Sequence, residues 1–523
     1  MTPRTDVKLL AAAALLAVAQ SGAAAAAPFV VNTGQAPATI DPAYVCDIAD
    51  NGYVSPLYAP LLTYARKSVA GPDGVTVTAE DSGKIVGNLA ESYTVSKDGL
   101  TITIKLKPGL KFASGNPLDG PAAAASLNRA LKSGGCGSYY MEAAQTGNTQ
   151  SIAAPDAGTV VITLKKPEPL VVDALTQPNL GMVDVKTVDA NGGKDWLATN
   201  AAGSGPYMLK SYQPGVRAEF VANPNWSGAA PLETEITVNF ISDPSALLLQ
   251  ARNGGANVTL GMPQQALQSL AGAPDLKIVS VPASRWLLAS LPNKQAPFDN
   301  VKVRQALSYA TPYEAILKSV LFGYGDSFYG PFPPAFATFK EELGAARPYD
   351  LEKAKALIAE SGVPQPIVLD LAIREGLPAH EQIATILQGA WKQIGVDVRI
   401  TKLSASAFAE AVVVPQKAGA LIRFDGPSIQ DPAWLLNYDL RCASPYNTAN
   451  YCSADAEALL DEALPLADAA KRQEIWDKIA ALWIEDAPRI PLYADRYTAV
   501  LSADVKHWDF SQDGPFELQL WGR

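Results

Sequence analysis

The sequence predicts an α/β protein with mixed sheets flanked by helices, divided into more than one domain. Three observations carry this expectation. The chain has 523 residues, more than one hydrophobic core usually organises, so two or three domains are expected. Leu100, Ile102, Ile104 and Leu106 alternate with Thr101, Thr103, Lys105 and Lys107, the period-two pattern of a strand with one buried face. From Asn300 to Pro488, helix-period and strand-period segments take turns, the pattern of helices packed on a mixed sheet.

At the N-terminus, Arg4 and Lys8 precede an apolar run from Leu9 to Ala19, and the small residues Ser21 to Ala27 offer A-x-A cleavage options before Pro28. Residues 1–27 therefore read as a secretory signal peptide, too short for a permanent anchor, since a span needs ~20 apolar residues. No later stretch approaches that length. The first cysteine is Cys46, far from the cleavage region, which disfavours a lipid anchor. The mature chain is expected to be exported into a periplasm, soluble and without a membrane anchor.

Tyr93 and Val95 alternate ahead of Asp98-Gly99, so the segment through Leu106 reads as a hairpin. A Pro108-Gly109 break and a short further strand through Lys111 and Phe112 follow. Asn300 precedes a helix with Val303, Ala306, Leu307 and Ala310 on one face. Asp350 caps LEKAKALIAES, which stops at Gly362. Ile383, Ile386, Leu387, Ala390 and Ile394 line the next helix up to Gly395, and Val396, Val398 and Ile400 alternate as a strand. Ile475, Ile479, Leu482 and Trp483 share the face of a last helix that gives out before Pro488.

The formal charge is −10, and the leader (Arg4, Asp6, Lys8) carries a net positive charge, so the mature chain is more acidic still. That opposes binding to nucleic acid or anionic membranes and leaves the ligand open. Four cysteines in an exported chain allow three pairings. Cys442 and Cys452 flank the turn-rich loop CASPYNTANYC and are the expected bridge, with Cys46–Cys136 the pairing left over; four buried thiols are the alternative.

An enzyme needs reactive groups, and few are present. The chain has two histidines, His380 and His507. His380-Glu381 is followed by Gln-Ile-Ala, which is no H-E-x-x-H, and Ser204 lies in G-S-G-P rather than a G-x-S-x-G elbow. His380 is expected to begin an exposed helix, and His507, beside Trp508, to sit at the surface or in packing. No Walker, Rossmann or zinc spacing occurs, so no cofactor and no catalysis are expected; a secreted hydrolase is the reading from a different class.

The wording of Asn88–Asp119, NLAESYTVSKDGLTITIKLKPGLKFASGNPLD, resembles the N-terminal signature of the family 5 extracytoplasmic solute-binding proteins of ABC importers, the peptide, nickel and opine type. Two departures stand out: Tyr93 replaces the usual Trp, and Ala113-Ser114-Gly115 replaces His-Asp-Gly. Further segments are similar to the family in its own order. They are Ile40-Asp41-Pro42, Tyr58 to Tyr64 (a helix in that pattern), Gly203 to Tyr207, Asn223 to Trp226, Pro297 to Ala310 and Tyr349 to Gly362. The resemblance implies a two-lobed periplasmic-binding-protein-like fold with an extra domain and a hinge between the lobes near Leu291 and Arg489. Domain I would comprise residues 28–66, 202–292 and 490–523, domain II residues 67–201 and domain III residues 293–489.

The same resemblance implies a ligand held between the lobes. In peptide-binding members an aspartate three residues before a D-P pair holds the peptide's α-ammonium. Counting back from Asp431-Pro432 reaches Ser428, so the usual anchor is missing. Asp425 and Arg423 are the nearby charges that could meet an amine or a carboxylate. Arg285 and Trp286 stand at the crossing between lobes, and Tyr44, Asp47 and Tyr53 in the first segment, where relatives contribute contacts; each also has a packing alternative. Tyr324, Tyr329 and Phe332 lie in a Gly/Pro-rich loop that either lines the cleft or is a solvent-covered aromatic loop. The implied role is a receptor, expected to be monomeric, that passes a peptide or peptide-like solute to the importer's permease subunits. A non-peptide ligand such as an opine, metal chelate or oligosaccharide is the alternative.

Overall fold

Apolar strands gather into one ten-stranded sheet that runs through the whole molecule. The computed structural model describes residues 27–46, 48–143, 147–344, 347–413, 419–427, 429–444, 446–466, 468–511 and 517–523. From edge to edge the strands are Val396–Leu403, Ile367–Arg374, Ala420–Asp425, Leu276–Ser290, Arg489–Ser502, Val258–Leu260, Phe29–Thr33, Glu235–Phe240, Arg217–Ala222 and Tyr207–Gln213. Parallel and antiparallel pairs coexist: Phe29–Thr33 lies parallel to Glu235–Phe240, and Leu276–Ser290 antiparallel to Arg489–Ser502. Chain segments far apart in sequence thus share one sheet, and the two lobes are its two ends.

The long strands Leu276–Ser290 and Arg489–Ser502, 15 and 14 residues, join the lobes. Residues Ala499–Leu501 pair with Val258–Leu260 on the first-lobe side, and Trp286–Ser290 pair with Leu421–Asp425 on the second-lobe side. Their mutual ladder shifts register between Pro282 and Trp286, where proline has no N–H to donate and a bulge bends the strand.

The predicted hairpin forms from Ala90–Val95 and Thr101–Leu106, with Tyr93 opposite Ile104 and Gly99 at φ 71° in the turn. It belongs to a four-stranded sheet with Thr159–Leu164 and Thr149–Asp156. The helix Gly120–Leu131 covers this sheet, capped by Asp119 and burying Ala123, Leu127 and Ala130 at one-turn spacing. A three-stranded sheet of Leu62–Val69, Thr76–Gly87 and His507–Phe510 sits beside it.

The helices Val301–Tyr309, Leu351–Ser361, Pro378–Lys392 and Ala469–Asp486 fall where the periodicity put them, and Asn300 and Asp350 cap the first two as expected. Two expectations need correction. Lys111 and Phe112 do not start a strand, since Lys111 makes one isolated bridge to Pro117. The stretch Tyr58–Tyr64 is not helical: the chain runs irregularly until the strand beginning at Leu62, because Pro56 and Pro60 withdraw donors from any helical turn there. That irregular stretch has a use. Leu57 O would lie 1.9 Å, and Pro56 O 2.4 Å, from a Cβ added at Gly203 and Gly205 respectively, so the return of the chain to the first lobe passes where a side chain would not fit.

Both disulfides form, Cys46–Cys136 and Cys442–Cys452. The first closes 90 residues and the second 10. On the chain-entropy account, replacing Cys46 and Cys136 by serine should cost about 2 kcal/mol more than replacing Cys442 and Cys452, and equilibrium urea unfolding of the two double variants measures that difference.

Candidate functional site

The two lobes meet through aromatic rings presented by short, well-anchored elements. The helix Cys136–Met141 carries Tyr139 and Tyr140. Its position relative to the first lobe is set by the Cys46 bridge and by close packing, since a Cβ at Gly135 would lie 2.6 Å from Ala43 O. Opposite it, Asp431 caps the helix Pro432–Asp439, its Oδ1 accepting from Ala433 N at 2.8 Å. That helix brings up Trp434, which stacks on Tyr140 (centroids 5.8 Å apart, planes within 6°) and takes the Tyr139 ring edge-on at 5.3 Å. Tyr446 meets Tyr139 edge-on at 6.4 Å. Such pairs add about 0.5–1.5 kcal/mol each beyond the area they bury.

Carboxyl groups line the same seam. Asp431 also accepts from Arg472 Nη2 at 2.6 Å, and Tyr64 Oη donates to Asp173 Oδ1 at 3.3 Å. Burial, with the charge of Asp431 adding to it, pushes the Asp173 carboxyl well above the usual range. Gln430 Oε1 accepts from Ser284 Oγ at 2.8 Å, while its Nε2 is buried with no acceptor among the described residues.

Beneath the seam lies a four-charge cluster in which every member is less than a tenth exposed. Arg423 and Asp425 project from one face of their strand, being two residues apart. Arg423 Nη2 lies 2.6 Å from Asp425 Oδ2, and Arg489 Nη1 lies 3.2 Å from the same oxygen and 2.5 Å from Asp439 Oδ1. Two guanidinium groups balance two carboxylates. Burial pushes the Asp439 carboxyl upward and Arg489 opposes it.

Each residue named from the sequence has a definite place. Asp425 and Arg423 belong to the buried cluster just described. Arg285 pairs with Asp495, Nε to Oδ2 2.8 Å, and lies 4.7 Å over the Phe424 ring. Trp286 is buried edge-to-face against Phe328 at 6.3 Å. Tyr53 is buried and donates to Gln35 O at 2.8 Å, and Tyr44 is half-buried with Lys194 Nζ 4.1 Å from its ring centre. Asp431 serves as cap and ion-pair partner. Asp47 and Ser428 lie outside the described residues, as does the leader through residue 26. Tyr329 and Phe332 are buried rather than solvent-covered, and Tyr324 is half-buried.

The aromatic seam, Asp173, Asp439 and Gln430 went unnamed in the sequence. Tyr139-Tyr140 directly follow the Gly-rich GGCGS around a cysteine, and Trp434 follows Asp431-Pro432; those were the available signals.

His380 departs from expectation. It does open a helix, but its ring is buried, 5.4 Å from that of Phe424, because position 380 falls on the stripe of Ile383, Ala384 and Leu387. Burial, and then Arg374, hold its pKa down at about 4. Among the described residues, no group of three or more His, Cys, Asp or Glu could hold a metal, and no helix is long and apolar enough to cross a membrane.

A sheet shared by two lobes through two crossing strands, with recognition surfaces facing each other across the seam, defines the two-lobed periplasmic binding fold. The chain matches the model of the bacterial extracellular solute-binding proteins, family 5, over residues 84–447. It belongs to that family, the solute-binding proteins of ABC importers. It is 27% identical to the probable D,D-dipeptide-binding periplasmic protein DdpA of Escherichia coli K12, over 92% of this chain and 91% of DdpA. It is 28% identical to the glutathione-binding protein GsiB of Salmonella paratyphi A, over 83% of this chain and 85% of GsiB. Among solved structures it is similar to the ABC transporter-associated periplasmic binding protein DppA of Helicobacter pylori in complex with peptide STSA. There the TM-score is 0.78 and the identity 21%, covering 94% of this chain and 96% of that one.

Two outcomes follow. Arg489→Met leaves two buried carboxylates with one guanidinium and should destabilise the protein by about 3–5 kcal/mol, read from urea unfolding. The His380 imidazole titrates near 4 when folded and near 6.5 when unfolded, so the unfolded chain takes up a proton first and stability falls as pH drops through that window. His380→Leu should abolish about 3 kcal/mol of that loss, seen as a flatter stability profile between the two pKa values.

Proposed function

We propose that this protein is the periplasmic receptor of an ABC importer for a short peptide or peptide-like solute. It captures the solute between its lobes and hands it to the membrane permease subunits, working as a soluble monomer once residues 1–27 are removed. The observation that carries the ligand class is the pair of relatives named for a D,D-dipeptide and for glutathione, each aligned over more than four-fifths of this chain. Family membership supports binding rather than catalysis, and the buried, neutral His380 supports it too.

Domain I would comprise residues 28–66, 202–292 and 490–523, domain II residues 67–201 and domain III residues 293–489; the sheet order supports this division. The register shift between Pro282 and Trp286 is where the crossing strands would flex. Tyr139, Tyr140, Trp434 and Tyr446 would wall the ligand, and Gln430 Nε2 would donate to a ligand carbonyl. Ligand supplies the differential affinity that favours the closed state. Arg285, Trp286, Tyr44, Tyr53, Asp47 and Ser428 remain further contact candidates of this reading.

A second reading, a non-peptide ligand in the same receptor role, is favoured by one observation. Position 428 is a serine, and Asp425 is committed to Arg423 and Arg489, which leaves a peptide ammonium without its usual carboxylate.

Native mass spectrometry of the mature protein purified gently from its periplasm, with the bound mass fragmented, decides between them. A ladder of peptide masses is expected; one discrete non-peptide mass would replace the first reading by the second. Trp434→Ala should weaken retention of that mass about tenfold, the loss of one to two aromatic contacts, measured by titrating the released ligand back. The mature protein should leave peptide and ester substrates intact, and turnover abolished by His380→Ala would establish a hydrolase instead.

A further inference from the structure

Away from the seam, the three-stranded sheet, the irregular stretch before Leu62 and the C-terminal segment enclose a cavity of about 190 Å³. A cavity of about 150 Å³ accommodates benzene, so this one has room for a small organic molecule. Its wall carries Arg66, Glu80, Gln177, Trp226, Glu517 and Gln519.

The charges around it do not balance. Arg66 Nη2 lies 3.0 Å from Glu517 Oε1, and Arg66 Nη1 lies 3.6 Å from Glu80 Oε1 and 3.6 Å from Asp509 Oδ2. Glu80 and Asp509 are both buried. Among the described residues, three carboxylates share one guanidinium here. Burial pushes the Asp509 carboxyl up to about 8 against the pull of Arg66, and Glu517 and Glu80 add to the rise. The protein alone meets the excess negative charge by keeping a proton on a buried acid.

The wall also offers an unused acceptor. Gln519 donates through Nε2 to Glu517, while its Oε1 is buried and accepts no hydrogen bond. Such an oxygen gains from any N–H placed in the cavity.

We propose that this cavity is a second binding site, separate from the interlobe seam, for a small primary ammonium ion. The ammonium supplies the missing positive charge and N–H donors for Glu80, Glu517 and Gln519 Oε1. The Trp226 ring gives its short alkyl chain an apolar wall, and an aromatic face near a cation adds attraction.

The test is isothermal titration of the mature protein with n-butylammonium, with n-butanol as the neutral comparison. Saturable binding of the ammonium and none of the alcohol are expected. Glu517→Gln should weaken binding about tenfold or more, as loss of one charge-assisted hydrogen bond requires, and so should Glu80→Gln. Glu517 is partly exposed, so its variant folds even if the buried Glu80 variant does not, and thermal melts check both. A crystal soaked with n-butylammonium should show it beside Glu517. Absence of saturable binding up to tens of millimolar, equal binding by Glu517→Gln, or density at the interlobe seam instead would overturn the proposal.

Discussion

The antiparallel ladder between Leu276–Ser290 and Arg489–Ser502 is the constraint on which the rest of the molecule hangs. It is one continuous pairing at the centre of the ten-stranded sheet, with first-lobe strands on one flank and second-lobe strands on the other. Backbone hydrogen bonds need partners wherever water is excluded, and here each lobe completes its sheet on strands it shares with the other. The register shift after Pro282 concentrates compliance at one place in an otherwise stiff connection. A chain of this length could have formed independent domains on a flexible tether; the shared ladder makes their relative motion a bend instead of a tumble.

At the second-lobe end of the ladder the Arg423–Asp425–Asp439–Arg489 cluster fixes geometry more than it adds stability. Taking four charges out of water costs about as much as their attraction returns, so replacing the whole set by well-packed apolar residues need not weaken the fold. Its members nevertheless tie the start of Arg489–Ser502 to the end of the helix Pro432–Asp439, and so hold the helix that carries Trp434. From the other lobe, the Cys46–Cys136 bridge holds the short helix that carries Tyr139 and Tyr140. The helix Cys136–Met141 has six residues, too few to persist alone. Two different devices, an ion cluster and a covalent bridge, thus bring the aromatic faces into register. The Cys46–Cys136 anchor is cheap for a short helix in an exported protein, because the disulfide acts on the unfolded chain and asks little area of the folded one.

Much of this was legible in the linear chain where the signal is local. The hairpin around Asp98-Gly99, the helices capped by Asn300 and Asp350, and the strand after Gly395 follow from side-chain period and cap chemistry alone. So does the resemblance that named the family, because its motifs are runs of neighbouring residues. Where local and tertiary demands conflicted, the reading failed for physical reasons. Tyr58–Tyr64 looked like a familiar helix, yet Pro56 and Pro60 remove the donors it needs, and the glycines at 203 and 205 have to pass against it. His380 carries a polar ring at a helix start, which suggests exposure, but the helical stripe turns it inward.

The sequence by itself determined the class of fold, the order of most helices and strands, the disulfide partners and the kind of protein, since each of these is written in nearest-neighbour pattern or in residue type. Only the tertiary structure decided which charges face ligand and which face one another. Asp425 and Arg423 looked available in their own loop. Their partners Asp439 and Arg489 arrive from a later helix and from the other crossing strand, and no local spacing announces a contact between segments that far apart. The aromatic seam is the same case: Tyr140 and Trp434 meet across the lobes because a shared sheet folds distant segments onto each other, and period or propensity has no term for that distance.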